Sequence, residues 1–130
     1  MTENGISVSK TVRWVSYVVS ALPVLMLAFS ATLKFIKPPG FNEGIEHLGW
    51  TEGQMFGLGV LEFAVAAVYL VPRTAVLGAI LIAAYMGGAV AAHIRVGDPF
   101  VVQIGIGVLA WLGLWMRDTR LRALIPIRRF

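Results

Sequence analysis

Apolar positions run through this chain in four long blocks, Trp14 to Phe35, Met55 to Val71, Ala75 to Ile94 and Phe100 to Met116, and charged residues are pushed to their edges. Each block approaches the ~20 residues that carry a helix across ~30 Å of hydrocarbon. An unpaired backbone group in lipid costs several kcal/mol, so each block is expected to close its own hydrogen bonds as a helix. Four continuously apolar segments do not make a β-barrel, whose strands alternate. The pattern predicts an all-α fold, a four-transmembrane-helix antiparallel bundle formed by a single domain over residues 1–130. The connections agree: Pro72-Arg73 and Gly97-Asp98-Pro99 are short enough to make consecutive helices neighbours. The one long connection, Lys37 to Gln54, predicts a short interfacial helix near Asn42 to Leu48 on the membrane surface, with Trp50 at headgroup level. Pro23 predicts a kink in the first span, with Ser20 or a neighbouring helix covering the lost hydrogen bond.

A finer pattern lies inside the blocks. Ser16, Ser20, Pro23, Leu27, Ser30 and Lys34 recur at spacings of three and four, which puts them on one face of span one. Span two offers Met55, Gly59, Glu62, Ala66 and Tyr69 at the same spacing, and span four offers Gln103, Gly107 and Ala110. These faces are expected to meet inside the bundle. Span three carries two adjacent ridges of small residues, Ala83, Gly87 and Ala91 beside Ala84, Gly88 and Ala92. Close backbone approach through small residues drives helix association in lipid, so span three is expected to be the central helix.

Composition sharpens this picture. With 58% hydrophobic residues and 14% charged ones, the chain falls outside the soluble globular class. Lys10, Arg13, Arg73, Arg117, Arg120, Arg122, Arg128 and Arg129 share one side of the predicted bundle, against Lys34, Lys37 and Arg95 on the other, so the positive-inside rule places both termini in the cytoplasm. The expected location is a plasma membrane, crossed by all four blocks. The net charge of +4 sits at the ends of apolar runs, where lipid headgroups are nearer partners than nucleic acid. The tail 117–130 is expected to lie on the cytoplasmic surface or to dock a partner. Residues from Lys10 through Ala31 have the make-up of a signal peptide, but the segment is expected to persist as a span. Cysteine is absent, which excludes disulfides, Fe–S clusters and thiolate metal sites.

Candidate chemistry centres on Glu62, eight positions after Gln54 and ten before Pro72, hence near mid-depth. A carboxylate there costs at least ~2.5 kcal/mol on insertion scales, so it should face the interior and either pair or stay protonated. Burial works against its charge and a neighbouring cation favours it, a balance that sequence leaves open. Lys34 is the best partner. For a lysine so near a helix end, however, snorkelling outward to the headgroups is slightly favoured. Arg73, 11 residues along the chain, is ~16 Å away on the helix axis. His93 and Gln103 fall at the same end as Lys34, and Tyr85 and Tyr69 extend the group toward the cytoplasm. Lys34, Glu62, Tyr85, His93 and Gln103 are therefore the candidates for ligand binding or a proton relay. No metal is expected, since His47 in the outer loop is the only other histidine. The tryptophans and Phe35 near span ends fit an aromatic belt.

Several segments carry a family resemblance: Ser30-Ala31-Thr32-Leu33-Lys34-Phe35, Gly59-Val60-Leu61-Glu62-Phe63, Pro72-Arg73-Thr74-Ala75-Val76-Leu77-Gly78-Ala79, Tyr85-Met86-Gly87-Gly88-Ala89 leading to His93-Ile94-Arg95, and Trp111-Leu112-Gly113-Leu114 before Arg117-Asp118. In these the chain resembles the DoxX-like family of small four-span bacterial membrane proteins, from Trp14 to the end, with Ala31 where the family often has glycine. The resemblance implies a quinone-linked redox setting, because the family takes its name from a subunit associated with quinol oxidase and thiosulfate:quinone oxidoreductase systems. It supplies no catalytic residue. The leading expectation is an accessory protein of membrane redox metabolism, not an enzyme on its own, holding a quinone or similar small ligand. Its partners would be membrane lipids and a larger membrane redox complex or a homo-oligomer. The alternatives are a purely structural subunit and, since four helices barely enclose a pore, an oligomeric transporter or channel.

Overall fold

The structure is a computed structural model and describes residues 2–3 and 6–128; Arg129 and Phe130, placed above in the basic tail, lie outside the described residues. Apart from a two-residue antiparallel pairing of Thr2–Glu3 with Ile6–Ser7, its regular structure is helical. The α-helices are α1 (Lys10–Ile36), α2 (Phe41–Leu48), α3 (Glu52–Leu70), α4 (Ala75–Arg95), α5 (Val101–Arg117) and α6 (Thr119–Leu124), with one 3-10 turn over Pro72–Thr74.

Local chemistry sets their ends. Ser9 accepts the Val12 N–H at the start of α1, which therefore begins four residues ahead of its apolar block. Thr51 and Gln54 form a reciprocal capping box that starts α3 ahead of Met55. At its other end α1 closes on Lys37, whose backbone is left-handed (φ 53°) and donates to the Leu33 carbonyl before Pro38 stops the helix. Glycines with φ of 86° flank α2 at Gly40 and Gly49, a conformation that side chains resist. The observed α2 starts one residue earlier than the sequence predicts.

Four long helices form a ring: α1 packs on α3 and α5, and α4 packs on α3 and α5. Phe35 at the end of α1 meets Phe56 near the start of α3 edge-on at 5.3 Å, while Ser20 and Tyr69 meet at the other end of the same pair. The buried faces follow the predicted stripes closely. They are Ser16, Ser20, Pro23, Leu27 and Ala31 on α1 and Met55, Gly59, Glu62, Val65, Ala66 and Tyr69 on α3. Large apolar side chains such as Leu25, Phe29, Leu77 and Val101 face outward instead. Polar groups inside and apolar groups outside is the distribution suited to hydrocarbon, and α1, α3 and the stretch Pro72–Arg95 are each long and apolar enough to cross a membrane. Helix α5 is apolar but shorter.

One expectation is corrected here and one is extended. Helix α4 is not central: in a ring each helix has two neighbours, and α4 meets them through Ala75, Gly78, Ala79, Ile82 and Met86. Its small-residue ridges lie off that face, and Ala83, Gly87, Ala91, Ala84 and Gly88 are exposed. The close approach falls at Gly78, where any Cβ would collide with the backbone of Tyr69. The basic tail also does more than lie on a surface. Helix α6 buries Leu121 in the core, and Arg122 covers the Trp115 ring while donating to the carbonyls of Trp115 and Met116. The Trp115 indole is spent on the Ile125 carbonyl at 2.9 Å.

Candidate functional site

Glu62 stands at the middle of α3 and is 1% exposed. Its Oε1 carries an ion pair with Lys34 Nζ and accepts a 2.7 Å hydrogen bond from the Tyr85 hydroxyl of α4. Lys34 also donates to Ser30 Oγ at 2.7 Å, one turn back on α1. Its side chain is 12% exposed, so the outward snorkelling slightly favoured by sequence does not occur. The reason is local. Gly59, one turn before Glu62, leaves room for α1 to close in, since a Cβ there would stand 3.1 Å from the Phe35 ring and 3.3 Å from the Lys34 Cβ. Phe35 then stacks flat on Phe63 at 5.7 Å and fixes the last turn of α1 against α3. At that separation the lysine stem reaches the carboxylate.

A buried pair is stable only if further hydrogen bonds offset the several kcal/mol lost by each ion on leaving water. Tyr85 and Ser30 supply two. One group stays unmatched: Glu62 Oε2 is buried with no hydrogen-bond partner.

His93 and Gln103 join the site from the end of α4 and the start of α5. His93 Nδ1 lies 2.7 Å from the Ala89 carbonyl, and Gln103 Nε2 lies 3.3 Å from His93 Nε2. A neutral ring that donates from Nδ1 can only accept at Nε2, so the amide donates there. Gln103 Oε1 is then left pointing elsewhere, and it too is buried without a partner. All five predicted residues line one cavity of about 720 Å³, whose remaining wall includes Leu58, Met86 and Ile106. Helix α2 contributes Phe41, Gly44 and His47 to that wall. It is anchored by the buried Ile45, by a 3.1 Å pair between His47 Nε2 and Asp98 Oδ1, and by Arg95 donating to the Leu48 carbonyl. Among the described residues no group of three His, Cys, Asp or Glu side chains is placed to hold a metal ion.

A second polar cluster, which sequence reasoning missed, occupies the other end of α1. Arg117, the last residue of α5, donates to Ser20 Oγ at 2.7 Å, to the Gly113 carbonyl at 3.0 Å and to the Ser16 carbonyl at 3.3 Å, and sits over the Tyr17 ring. The Tyr69 hydroxyl donates to the Ala110 carbonyl at 2.7 Å and lies 2.8 Å from Ser20 Oγ. Tyr69 therefore belongs to this cluster and does not extend the first. Sequence alone places Arg117 in the surface-lying basic tail. The available signal was the pair Ser16 and Ser20, which has no partner in the group around Glu62, together with Gly113 one turn before Arg117.

Compared with known protein families, the chain matches the DoxX-like family over residues 18–115, about three quarters of its length. The five residues predicted for the site all fall within that span, and Arg117 falls just outside it. Neither the curated proteins nor the solved structures contain a match. The chain belongs to the DoxX-like family.

Proposed function

We propose that this DoxX-like membrane protein spans the bilayer four times as an antiparallel bundle and holds a small amphipathic, quinone-like ligand beside Glu62. In this reading it is an accessory component of bacterial membrane redox metabolism. The fourth crossing is α5, whose 17 residues extend ~26 Å, close to the hydrocarbon thickness, and whose outer face carries Val101, Val102, Ile104 and Val108. The Lys and Arg distribution favours cytoplasmic termini in an inner membrane. Helix α2 and Trp50 would then lie at the opposite surface.

One observation carries the ligand reading: a mid-span carboxylate, already ion-paired, keeps an unmatched oxygen beside a cavity large enough for a small molecule. A purely structural ion pair needs no cavity, and buried polar atoms are normally matched. The test is gentle extraction followed by mass spectrometry of the intact protein. A small molecule should copurify in about stoichiometric amount and be lost in Glu62→Gln and His93→Ala. Unchanged ligand content in both variants rejects the site.

A second reading, a structural subunit of a larger membrane complex, is favoured by the exposed ridge Ala83, Gly87 and Ala91 on α4, which suits close helix contact. Crosslinking in native membranes would trap a defined larger partner there, and recovery of the monomer alone would count against it.

A further inference from the structure

A groove of about 590 Å³ runs between α4 and α5 on the flank of the bundle, apart from the Glu62 carboxylate. Gly87 and Gly107 shape its floor, and the exposed Gly87, Ile104 and Val108 show that it opens outward. The tail closes one end: Ile125 and Pro126 line it, and the Trp115 indole of the same wall donates to the Ile125 carbonyl. Two groups near that end have hydrogen-bonding capacity that the chain does not use. The Arg122 guanidinium stands 5.1 Å from the centre of the Trp115 ring, held by the carbonyls of Trp115 and Met116. Those bonds take two of its five N–H donors, and among the described residues the other three have no acceptor. Trp111 lies four residues, ~6 Å, deeper along α5 and also lines the groove. Its indole N–H has no acceptor among the described residues either, and it is accessible where the unmatched oxygens of Glu62 and Gln103 are enclosed.

We propose that this groove binds one anionic glycerophospholipid, with its phosphate on Arg122, an ester carbonyl on the Trp111 indole and an acyl chain along Gly107, Gly87 and Val90. From the tail inward the groove offers a cation, then a neutral donor, then apolar wall. A phospholipid offers its partners in the same order: phosphate, ester carbonyl, hydrocarbon. A transmembrane helix does not, because its carbonyls are spent internally and leave both donors without an acceptor. Such a helix would also run into Ile125 and Pro126 at the closed end. The charge of the head follows from the tail, where Arg117, Arg120, Arg122 and Arg128 stand against Asp118 alone, itself paired with Arg120 at 3.4 Å. An anionic head is attracted by that surplus, whereas a zwitterionic head sets its ammonium against it. The site shares with the Glu62 reading only the membrane placement of α5, and it uses neither Glu62 nor His93.

The experiment is a lipid titration of the purified, delipidated full chain in detergent, read by mass spectrometry of the intact protein. The probes are phosphatidylglycerol, phosphatidylcholine and diacylglycerol with the same acyl chains. One phosphatidylglycerol should bind per chain, about fivefold tighter than phosphatidylcholine, with diacylglycerol weakest. Arg122→Gln should lower the affinity for phosphatidylglycerol about fivefold and leave diacylglycerol unchanged. Trp111→Phe keeps an aromatic wall without the N–H and should weaken all three lipids about threefold. Gly87→Leu serves if Arg122→Gln does not fold: a Cβ there meets nothing within 4 Å, and the added side chain fills the groove without touching the tail. It should weaken all three lipids about tenfold, the equivalent of two displaced methylenes. Equal affinity for the three lipids overturns the phosphate site. So does a loss in Arg73→Gln as large as in Arg122→Gln, since Arg73 is an exposed arginine outside the groove. Undiminished binding in Gly87→Leu overturns the groove as the seat of the acyl chain. A dimer that carries no lipid and dissociates in Gly87→Leu overturns it as well and assigns the groove to a second copy. Any small molecule retained beside Glu62 is read in the same spectra and should be unchanged in Gly87→Leu, so the two sites can fail separately.

Discussion

Two polar clusters lie against α1, one at each end, and they differ in how completely their groups are matched. Around Ser16, Ser20, Tyr69 and Arg117 the chain closes on itself: the guanidinium reaches three oxygens, the Tyr69 hydroxyl reaches two, and Gly113 brings α5 so close that a Cβ there would strike Ser20. Around Lys34, Glu62 and Gln103 the same kinds of groups surround open space, and two acceptors stay unmatched. Both clusters hold a cation inside an apolar bundle, so burial of charge alone does not mark a functional site. Space beside an unmatched group is what the proposed ligand reading adds. The first cluster reads as a clamp between α1 and α5, and the second, in the proposed reading, as a ligand site.

The comparison breaks most visibly at the ion pair. Lys34→Met removes the only cation paired with Glu62 among the described residues and leaves a carboxylate stranded at mid-span. The expected loss is ~3–5 kcal/mol, unless the acid takes up a proton and limits the damage. Replacing both partners, Lys34→Met with Glu62→Leu, should restore most of that stability, because an apolar pair of similar volume has no desolvation cost. Reversible unfolding of the three proteins in mixed micelles checks this. A double variant no more stable than Lys34→Met would mean that the pair positions α1 against α3 in a way packing cannot replace.

How far each cluster was legible in the sequence follows from the same physics. Glu62 could be placed because a mid-span carboxylate has one tolerable direction, and the register Met55, Gly59, Glu62, Ala66, Tyr69 then fixed the inner face of α3. Lys34 could not, because its flexible stem can serve two surfaces and the choice depends on how near α3 comes, which Gly59 decides across two helices. Arg117 was hidden for a related reason. At the end of a span a cation has headgroups available, and only the approach of α1 at Gly113 offers it something better. The ridges of α4 misled because small-residue spacing records that a helix can be approached closely without recording by which neighbour.

Glycine replacements set the two clusters directly against each other. Gly113→Ala would drive a methyl group into Ser20, and the hydroxyl cannot yield without releasing Arg117 or Tyr69, so a loss of ~1–3 kcal/mol is expected from overpacking. Gly88→Ala enters the other cluster, where a Cβ meets nothing within 4 Å. In water an exposed helical glycine replaced by alanine would gain about 0.5–1 kcal/mol from reduced backbone freedom. A span that stays helical after its neighbours separate never regains that freedom, so the gain should vanish in lipid. Gly88→Ala is therefore expected to change stability by less than ~0.5 kcal/mol. Measured side by side by unfolding in the same micelles, the two variants separate clamp from cavity. A large loss at Gly88 would show that the space beside it is closed in the membrane, and the distinction between the two ends of α1 would fail.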